Sequence, residues 1–245
     1  MVGTILLTRI PTEEALLRSH LERRGFDVLQ WPGIELRPCR QDDGREGVIH
    51  SLRRNDAVVF PSPGAVRCAW EQYPDLSQLL ETCDLTVFGQ GPGTAAALRD
   101  RGRFQVSTPE RRDAVGLAAH ICDAMESSHR ILLLSGNLAG TTLPDRLQAE
   151  GFQLERRIIY ENSAPSGLCR EPQPLDCVVF GSPSAARNHL EQNPWLHVVP
   201  AVTYGATTAK WLEQHGKMSR IEMAKQPTMV AVLEAIQIVV KGAMA

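Results

Sequence analysis

The chain contains one segment twice. The ten residues that begin at Asp56, DAVVFPSPGA, match the ten that begin at Asp176, DCVVFGSPSA, at seven positions. A second pair of motifs follows, GPGTA at Gly91 and GATTA at Gly205, and the helical positions after them correspond at a constant offset of 114 residues. A period of this length is far too long for a solenoid repeat, so it indicates a duplicated α/β half.

A weaker repeat precedes each copy. The run LLTR at Leu6 leads through a helical stretch to Gly25, and the run LLSG at Leu133 leads in the same way to Gly151. Each repeated unit therefore extends over nearly half of the chain.

Composition narrows the class of protein. The 245 residues are 43% apolar and 22% charged with a net charge of −2, which indicates a globular chain with one large or two small cores. No run of Lys or Arg exceeds a pair, so we expect no nucleic-acid partner. We find no signal peptide and no apolar stretch of membrane-spanning length, and we expect a cytoplasmic protein without a membrane partner.

Short apolar runs alternate with longer amphipathic stretches. The apolar runs lack polar alternation, as is typical of parallel strands buried on both faces. We expect strands at residues 5–8, 28–31, 57–60, 85–88, 131–134, 158–160, 178–180 and 198–203. We expect helices, each ended by a glycine, at residues 12–24, 93–101, 143–150 and 207–215. This alternation predicts two doubly wound parallel sheets of four or five strands each.

Small polar residues follow the predicted strands at their carboxyl ends, where doubly wound sheets bind ligands. Helix N-termini in such loops offer backbone N–H groups to anions, so five loops of this kind predict a site for a polyanion. An alternative is that four of the side chains only cap their helices, namely Ser62, Thr94, Ser182 and Thr208.

Motifs for other chemistries are missing from the sequence. There is no phosphate-binding loop with a lysine, no dinucleotide fingerprint, no HExxH and no GxSxG elbow. The seven histidines are dispersed, and the six cysteines form no C-x-x-C pair and read as small, buried, reduced side chains. These absences disfavour phosphoryl transfer, hydride transfer and zinc hydrolysis, we expect no metal site, and the spacing identifies no covalent nucleophile.

The order of the motifs resembles the uroporphyrinogen-III synthase (HemD) family. The likeness extends from about residue 4 to residue 240 and lies in order and spacing rather than in any single motif. It is carried by LLTR at Leu6, the two DxVVFxSP runs, GPGTA, the strand end IIY at Tyr160, GATTA, and Pro227-Thr228 before the last helix.

The resemblance implies two flavodoxin-like, doubly wound parallel-sheet domains joined by a hinge of two segments. The first domain would be discontinuous, residues 1–36 plus 166–245, and the second, residues 40–162, would be inserted into it. Residues 34–38 and 160–166 would form the hinge, with the substrate in the cleft between the domains. The domain boundary would then not coincide with the boundary between the repeats.

The resemblance also implies an activity. A lyase of this family closes hydroxymethylbilane into uroporphyrinogen III, inverting ring D and losing water, in tetrapyrrole biosynthesis. The pyrrole nitrogen can expel the hydroxyl group, so the enzyme needs no cofactor and works by orienting a flexible polycarboxylate. Hydroxymethylbilane is the implied small-molecule partner, the preceding enzyme hydroxymethylbilane synthase is a candidate protein partner, and the expected oligomeric state is a monomer.

The family's residue roles map onto particular positions. Tyr160 would assist departure of the hydroxyl group, or else pack as a strand-end aromatic at the hinge. Arg9 would meet a substrate carboxylate, or else form a surface ion pair. Substrate-binding loops would contain Thr207, Thr208, Ser182 and Ser184 in the first domain, and Ser62, Gly64, Thr94 and Gly136 in the second.

The sequence departs from the family pattern after Leu134. Arginines are frequent in that loop of the family, whereas this chain has Ser135 and Gly140 at the corresponding positions. Two alternatives therefore stand beside the synthase. One is a non-catalytic homologue that binds a tetrapyrrole or another small anionic metabolite in the interdomain cleft, and the other is a bilobal sensory domain for an unrelated metabolite.

Overall fold

The computed structural model describes residues 3–39 and 44–243. The chain divides into two compact units, residues 1–35 with 163–245 and residues 36–162. Residue 40, the expected start of the second domain, lies outside the described residues.

Strands and helices alternate along most of the chain. In chain order they are β1 (Thr4–Leu7), α1 (Pro11–Glu22), β2 (Asp27–Gln30), β3 (Glu35–Pro38), α2 (Gly44–Arg54), β4 (Ala57–Phe60), α3 (Pro63–Gln72), α4 (Leu76–Thr82), β5 (Thr86–Gly89), α5 (Pro92–Arg99), β6 (Val106–Ser107), α6 (Ala114–Ala124), β7 (Arg130–Gly136), α7 (Thr142–Ala149), β8 (Gln153–Ser163), β9 (Cys177–Phe180), α8 (Pro183–Gln192), β10 (Ala201–Thr203), α9 (Ala206–Trp211), β11 (Ile221–Met223) and α10 (Met229–Ala243). A short 3-10 helix, Pro194–Val198, precedes β10, and a π turn, Leu212–Gly216, follows α9.

The first unit has a five-stranded parallel sheet in the order β2-β1-β9-β10-β11. Helices cover both faces, because α1 and α10 contribute Leu17 and Val232 to one buried cluster while α8 contributes Leu190 to the other. Numbered within the unit, this is the strand order of flavodoxin-like sheets.

The second unit has a six-stranded sheet in the order β3-β8-β7-β4-β5-β6. The pairs from β8 to β6 are parallel. Leu52 of α2 and Val66 of α3 pack on one face, and Leu117 of α6 and Leu147 of α7 pack on the other. The strands β4 and β9 are buried along their whole length, as the unbroken apolar runs predict.

The two sheets correspond strand by strand. The strands β8-β7-β4-β5-β6 match β2-β1-β9-β10-β11, with the chain order permuted in the second unit. The duplicated aspartates make the same contact, since the Asp176 carboxylate accepts from the Thr4 N–H and the Asp56 carboxylate accepts from the Arg130 N–H, each at 2.7 Å. The sequence repeat is therefore also a repeat of sheet positions.

The α/β fold class with parallel sheets is confirmed, and several details differ from expectation. The strands β3, β6 and β11 were not predicted, so the second sheet has six strands instead of four or five. β3 occupies part of the segment expected as the first connector, and β8 extends to Ser163, within the segment expected as the second. Residues 198–203 are not one strand, because the 3-10 helix takes up Val198 and β10 begins at Ala201.

The helix ends also differ in part. Gly25 and Gly151 adopt the left-handed conformation, with φ of 86° and 93°, as expected for a glycine just after a helix. The left-handed residue after the π turn is Lys217 rather than Gly216.

Candidate functional site

In the first unit, five of the predicted residues lie at one edge of the sheet. Arg9 follows β1, Ser182 and Ser184 follow β9, and Thr207 and Thr208 follow β10. These three strands are neighbours and parallel, so their carboxyl ends meet. The chain leaves β1 towards β2 and leaves β9 towards β10, which makes this edge the topological switch point where such sheets bind ligands.

The repeated serines cap their helices. The Ser62 hydroxyl accepts from the Ala65 N–H at 3.1 Å, and the Ser182 hydroxyl accepts from the Ala185 N–H at 3.2 Å. The Ser184 hydroxyl lies 3.1 Å from that of Ser182. Both serines therefore cap their helices, as the alternative expects.

We predict that losing either cap weakens its unit slightly. Ser62→Ala and Ser182→Ala should each lower the free energy of unfolding by about 1 kcal/mol, the usual value of a helix cap. The measurement is urea unfolding, with Ser166→Ala, at an exposed serine, as the control. A loss no larger than that of the control would contradict the assignment.

The capping alternative is wrong for the two threonines. α5 and α9 begin after Gly91 and Gly205, and no side chain caps either helix. Thr94 and Thr208 are the third residues of these helices, and each is only 4% exposed. Because the residue at the N-cap of each helix is a glycine without a capping side chain, the N–H groups of the first turn can donate to an anion.

Arg9 has partners within its own unit. Its guanidinium pairs with Glu13 at 2.7 Å and lies 5.0 Å from the centre of the Tyr204 ring. The side chain crosses Gly181 so closely that an added Cβ would lie 2.1 Å from its Cγ. An ion pair with Glu13 is therefore present, and the close approach to Gly181 places the side chain at the end of β9.

Three further residues of this edge, Glu14, Gln30 and Tyr204, were not predicted from the sequence. Glu14 is 1% exposed, and its carboxylate accepts from the Arg9 N–H, the Gln30 amide and the Tyr204 hydroxyl at 3.0 to 3.1 Å. Burial raises the pKa of Glu14, while the hydrogen bonds from Gln30 and Tyr204 act against that rise. Burial also raises the pKa of Tyr204, with the Glu14 carboxylate adding to the effect. Tyr204 therefore remains a phenol at neutral pH.

The second unit brings Tyr160, Gly136 and Ser62 together. Tyr160 pairs with Gly136 across β7 and β8, and an added Cβ on Gly136 would lie 2.4 Å from the phenol ring. The Tyr160 hydroxyl lies 3.4 Å from the Ser62 hydroxyl. A β-bulge sets this orientation, because the pairing shifts by one residue at Ile159, and Ile159 and Tyr160 both pack on the same core cluster.

The remaining predicted residues of the second unit lie at the same edge. Gly64 is buried in the first turn of α3, where an added Cβ would lie 2.7 Å from a methyl of Leu36. Thr94 belongs to α5, which follows β5, the next strand after β4. The edge therefore extends over β8, β7, β4 and β5, and both units present the same kind of surface.

Within residues 3–39 and 44–243, no group of His, Cys, Asp and Glu side chains is arranged to hold a metal ion. Over the same ranges, no helix has the length and apolar character needed to cross a bilayer. Of the cysteines, Cys68 and Cys177 are buried as expected, but Cys169 is exposed. Burial raises the pKa of the Cys68 thiol to about 11, which makes it unreactive.

Comparison with known proteins gives one consistent result. The family model described as uroporphyrinogen-III synthase HemD matches residues 15–234. The chain is 28% identical over 229 residues to a uroporphyrinogen-III synthase of Chlorobaculum parvum, covering 87% of this chain and 89% of that protein. It is 22% identical over 165 residues to a porphyrin biosynthesis protein HemD of Ruminiclostridium josui, of which it covers 33%.

Solved structures share the fold. A uroporphyrinogen III synthase from Thermus thermophilus superposes with a TM-score of 0.65 at 16% identity, covering 98% of this chain and 99% of that one. A uroporphyrinogen-III synthetase from Helicobacter pylori superposes with a TM-score of 0.67 at 19% identity, covering 97% and 99%.

Proposed function

The chain belongs to the uroporphyrinogen-III synthase family, and on that premise we propose that it closes hydroxymethylbilane into uroporphyrinogen III in tetrapyrrole biosynthesis. The observation that carries the proposal is the pair of equivalent sheet edges, each with an uncapped helix start that offers N–H donors. A flexible polycarboxylate needs such donors at several points along its length.

The proposed reaction is that of a cofactor-independent lyase. The lone pair of the ring A pyrrole nitrogen pushes out the hydroxyl group, the carbon–oxygen bond breaks, and the oxygen leaves as water after gaining a proton. The substituted carbon of ring D then attacks the resulting cation and gives a cationic spiro intermediate. The bond from that carbon to its original bridging carbon breaks, and the electron pair returns to ring D. The freed bridging carbon, now the cation, bonds to the unsubstituted α-carbon of ring D, and loss of the proton from that α-carbon completes the inverted ring. The protein must favour this closure over the simpler closure to the type I isomer.

Tyr160 is the proposed proton donor for the departing hydroxyl group. Its hydroxyl reaches the edge beside Gly136, whose missing side chain leaves space for the ring. Phenols donate protons and hydrogen bonds at neutral pH, and such a donor adds about 10²- to 10⁴-fold to a rate in favourable cases. Ser62, at 3.4 Å, is the proposed partner that orients the phenol.

Carboxylate binding is proposed for the two edges. The first-turn N–H groups of α5 and α9 would hold acetate and propionate groups beside the serine-capped starts of α3 and α8. Arg9 would add positive charge in the first unit, although Glu13 offsets part of it.

We further propose that the two compact units act as two domains. The protein would work as a monomer in the cytoplasm, and hydroxymethylbilane synthase would hand over the substrate.

The function is tested by adding the purified protein to freshly generated hydroxymethylbilane and following its consumption. A synthase accelerates closure well above the protein-free rate. A non-catalytic homologue would instead be stabilised against heat by uroporphyrin while leaving the rate of closure unchanged. A sensory domain would respond to neither compound.

A substitution at Ala206 tests whether the backbone N–H groups at the start of α9 bind a carboxylate. This exposed residue is the first of the helix and corresponds in the repeat to Pro92, the first residue of α5. Proline fits there because Gly205 before it is already extended, so Ala206→Pro should fold while deleting one N–H donor. We expect a loss of about 10-fold in uroporphyrin affinity, the size of one hydrogen bond to a charged group.

The matched control is Ala206→Ser, which keeps the N–H and should bind as the wild type does. Ala206 is preferable to Thr208 for this test because the buried Thr208 side chain would mix packing with binding. Equal affinity of the proline and serine variants, at unchanged melting temperature, would rule out the backbone donor.

A further inference from the structure

Arg156 is held at the carboxyl edge of the second sheet by the loop that follows β7. Its Nε donates to the Ser135 hydroxyl at 3.0 Å. Its Nη2 donates to the carbonyl oxygens of Gly136 at 3.1 Å and Ala139 at 2.9 Å. Arg156 itself lies on β8 opposite Leu133, so the side chain extends along the sheet to reach this edge.

Arg156 and the proposed proton donor, Tyr160, contact the same residue, Gly136. Gly136 touches both side chains, since its carbonyl accepts from Arg156 while the Tyr160 ring covers its Cα. The half-buried guanidinium therefore lies in the same loop contact as the phenol, on the strand that carries both residues.

The hydrogen bonds of Arg156 go to uncharged groups. All three of its acceptors are neutral, and among the described residues no Asp or Glu forms an ion pair with it. The neighbouring Glu155 is engaged by Ser51 and Asn55 instead. Residues 135–140 carry no charge of their own. In the first unit, by contrast, Arg9 is paired with Glu13.

We propose that Arg156 binds a carboxylate of the substrate and is the charged anchor of the second unit. This inference rests on the proposed function, because it takes the polycarboxylate as the ligand. A guanidinium has five N–H donors, and Nε and Nη2 account for three of them in holding the loop. The two donors on Nη1 make no hydrogen bond within the described residues, so they can meet a carboxylate oxygen.

With Arg156 beside it, the uncharged loop after β7 can serve an anionic substrate. Neighbouring strands place their side chains side by side, so β8 can supply the cation that the loop after β7 lacks. Lysine could provide the charge but not three directed hydrogen bonds together with a contact to the substrate.

The experiment compares Arg156→Gln and Arg156→Lys with a matched control, Arg130→Gln. Arg130 is exposed at the opposite end of β7, so its variant removes the same charge away from the edge. The first readout is the affinity for uroporphyrin, measured by fluorescence at several salt concentrations. The second is the KM and kcat for hydroxymethylbilane, and melting temperatures are recorded for each protein.

Arg156→Gln should weaken uroporphyrin binding about 10-fold or more and flatten its salt dependence, since one charged contact is lost. KM should rise by a similar factor while kcat changes less than about threefold, because the lost contact is present in substrate and transition state alike. Arg156→Lys should recover part of the affinity, and Arg130→Gln should match the wild type.

Two results would overturn the inference while leaving the proposed function intact. One is that Arg156→Gln binds uroporphyrin as tightly as the wild type does. The other is that Arg156→Gln keeps this affinity but has a lower kcat together with a lower melting temperature, which would show that Arg156 only stabilises the loop. A wild-type protein that binds uroporphyrin without turning over hydroxymethylbilane would contradict the synthase activity, yet the affinities would still test Arg156. A wild-type protein that neither binds nor turns over would contradict both.

Discussion

Tyr160→Phe is expected to lower the turnover of hydroxymethylbilane about 10- to 100-fold without abolishing it. The substitution removes only the hydroxyl that lies 3.4 Å from Ser62 and keeps the ring that covers Gly136. The residual rate follows from the substrate's own ability to expel its hydroxyl group once it is folded correctly. The measurement is kcat with freshly generated substrate, together with the melting temperature.

The control is Tyr73→Phe. Tyr73 is a buried tyrosine of the same unit and follows the C-terminal end of α3, whereas Ser62 lies at the N-terminal end of that helix, at the edge with Tyr160. The turnover of this control variant per folded molecule should equal that of the wild type. An unchanged rate in Tyr160→Phe would show that the ring serves only packing. A complete loss in a folded variant would make the phenol indispensable and contradict catalysis by orientation.

Acid should destabilise the first unit through His189. This side chain is 0% exposed on α8, and its Nε2 hydrogen-bonds the Trp31 carbonyl at 2.9 Å. Burial lowers its pKa to about 4 from the ordinary 6.5, because the charged ring would lose its hydration. Between these two pH values the unfolded chain binds a proton on His189 that the folded chain does not. The free energy of unfolding is therefore not reduced by His189 above pH 6.5, and it falls as the pH drops from 6.5 towards 4. The loss is about 3 kcal/mol at 1.36 kcal/mol per pH unit.

The measurement is the free energy of unfolding in urea at pH 7 and at pH 4.5. His189→Gln cannot titrate, so its stability should change less between these values than that of the wild type, whatever its absolute stability. His50→Gln, at an exposed position on α2, should retain the wild-type dependence. Parallel pH profiles for wild type and His189→Gln would show that another group causes the acid loss.

The duplicated motifs allowed much of the fold and of the candidate site to be predicted. Strands such as β4 and β9 are buried on both faces and therefore read as unbroken apolar runs. Their repeat also identified the loops at their carboxyl ends. The strands β6 and β11, with two and three residues, are too short to produce a pattern, and each is defined by its pairing with a neighbouring strand.

The missed residues depend on contacts that local sequence does not encode. Glu14 looks like an ordinary acidic residue in the first turn of a helix, and only the return of β10 brings Tyr204 to it. Arg156 reaches the loop after β7 through strand pairing, over 17 to 21 residues of sequence. A bulge, which no periodicity marks, turns Tyr160 to its present face.

One signal in the repeat could have identified part of the asymmetry. Tyr204 stands where the other copy has Gln90, and Arg9 stands where the weaker repeat has Gly136. Because the two copies differ at these positions, we expect them to contribute differently to substrate binding. In the first unit the arginine, Arg9, lies in the loop that follows β1. In the second unit the loop that follows β7 has no arginine, and Arg156 reaches it from β8.

The most direct test of the central claim is the isomer composition of the product. The purified protein is mixed with freshly generated hydroxymethylbilane, the product is oxidised, and the type I and type III porphyrins are separated and compared with a protein-free reaction. We predict that type III predominates with the protein while type I predominates without it. The same excess of type I in both reactions would contradict the claim that this chain directs ring closure.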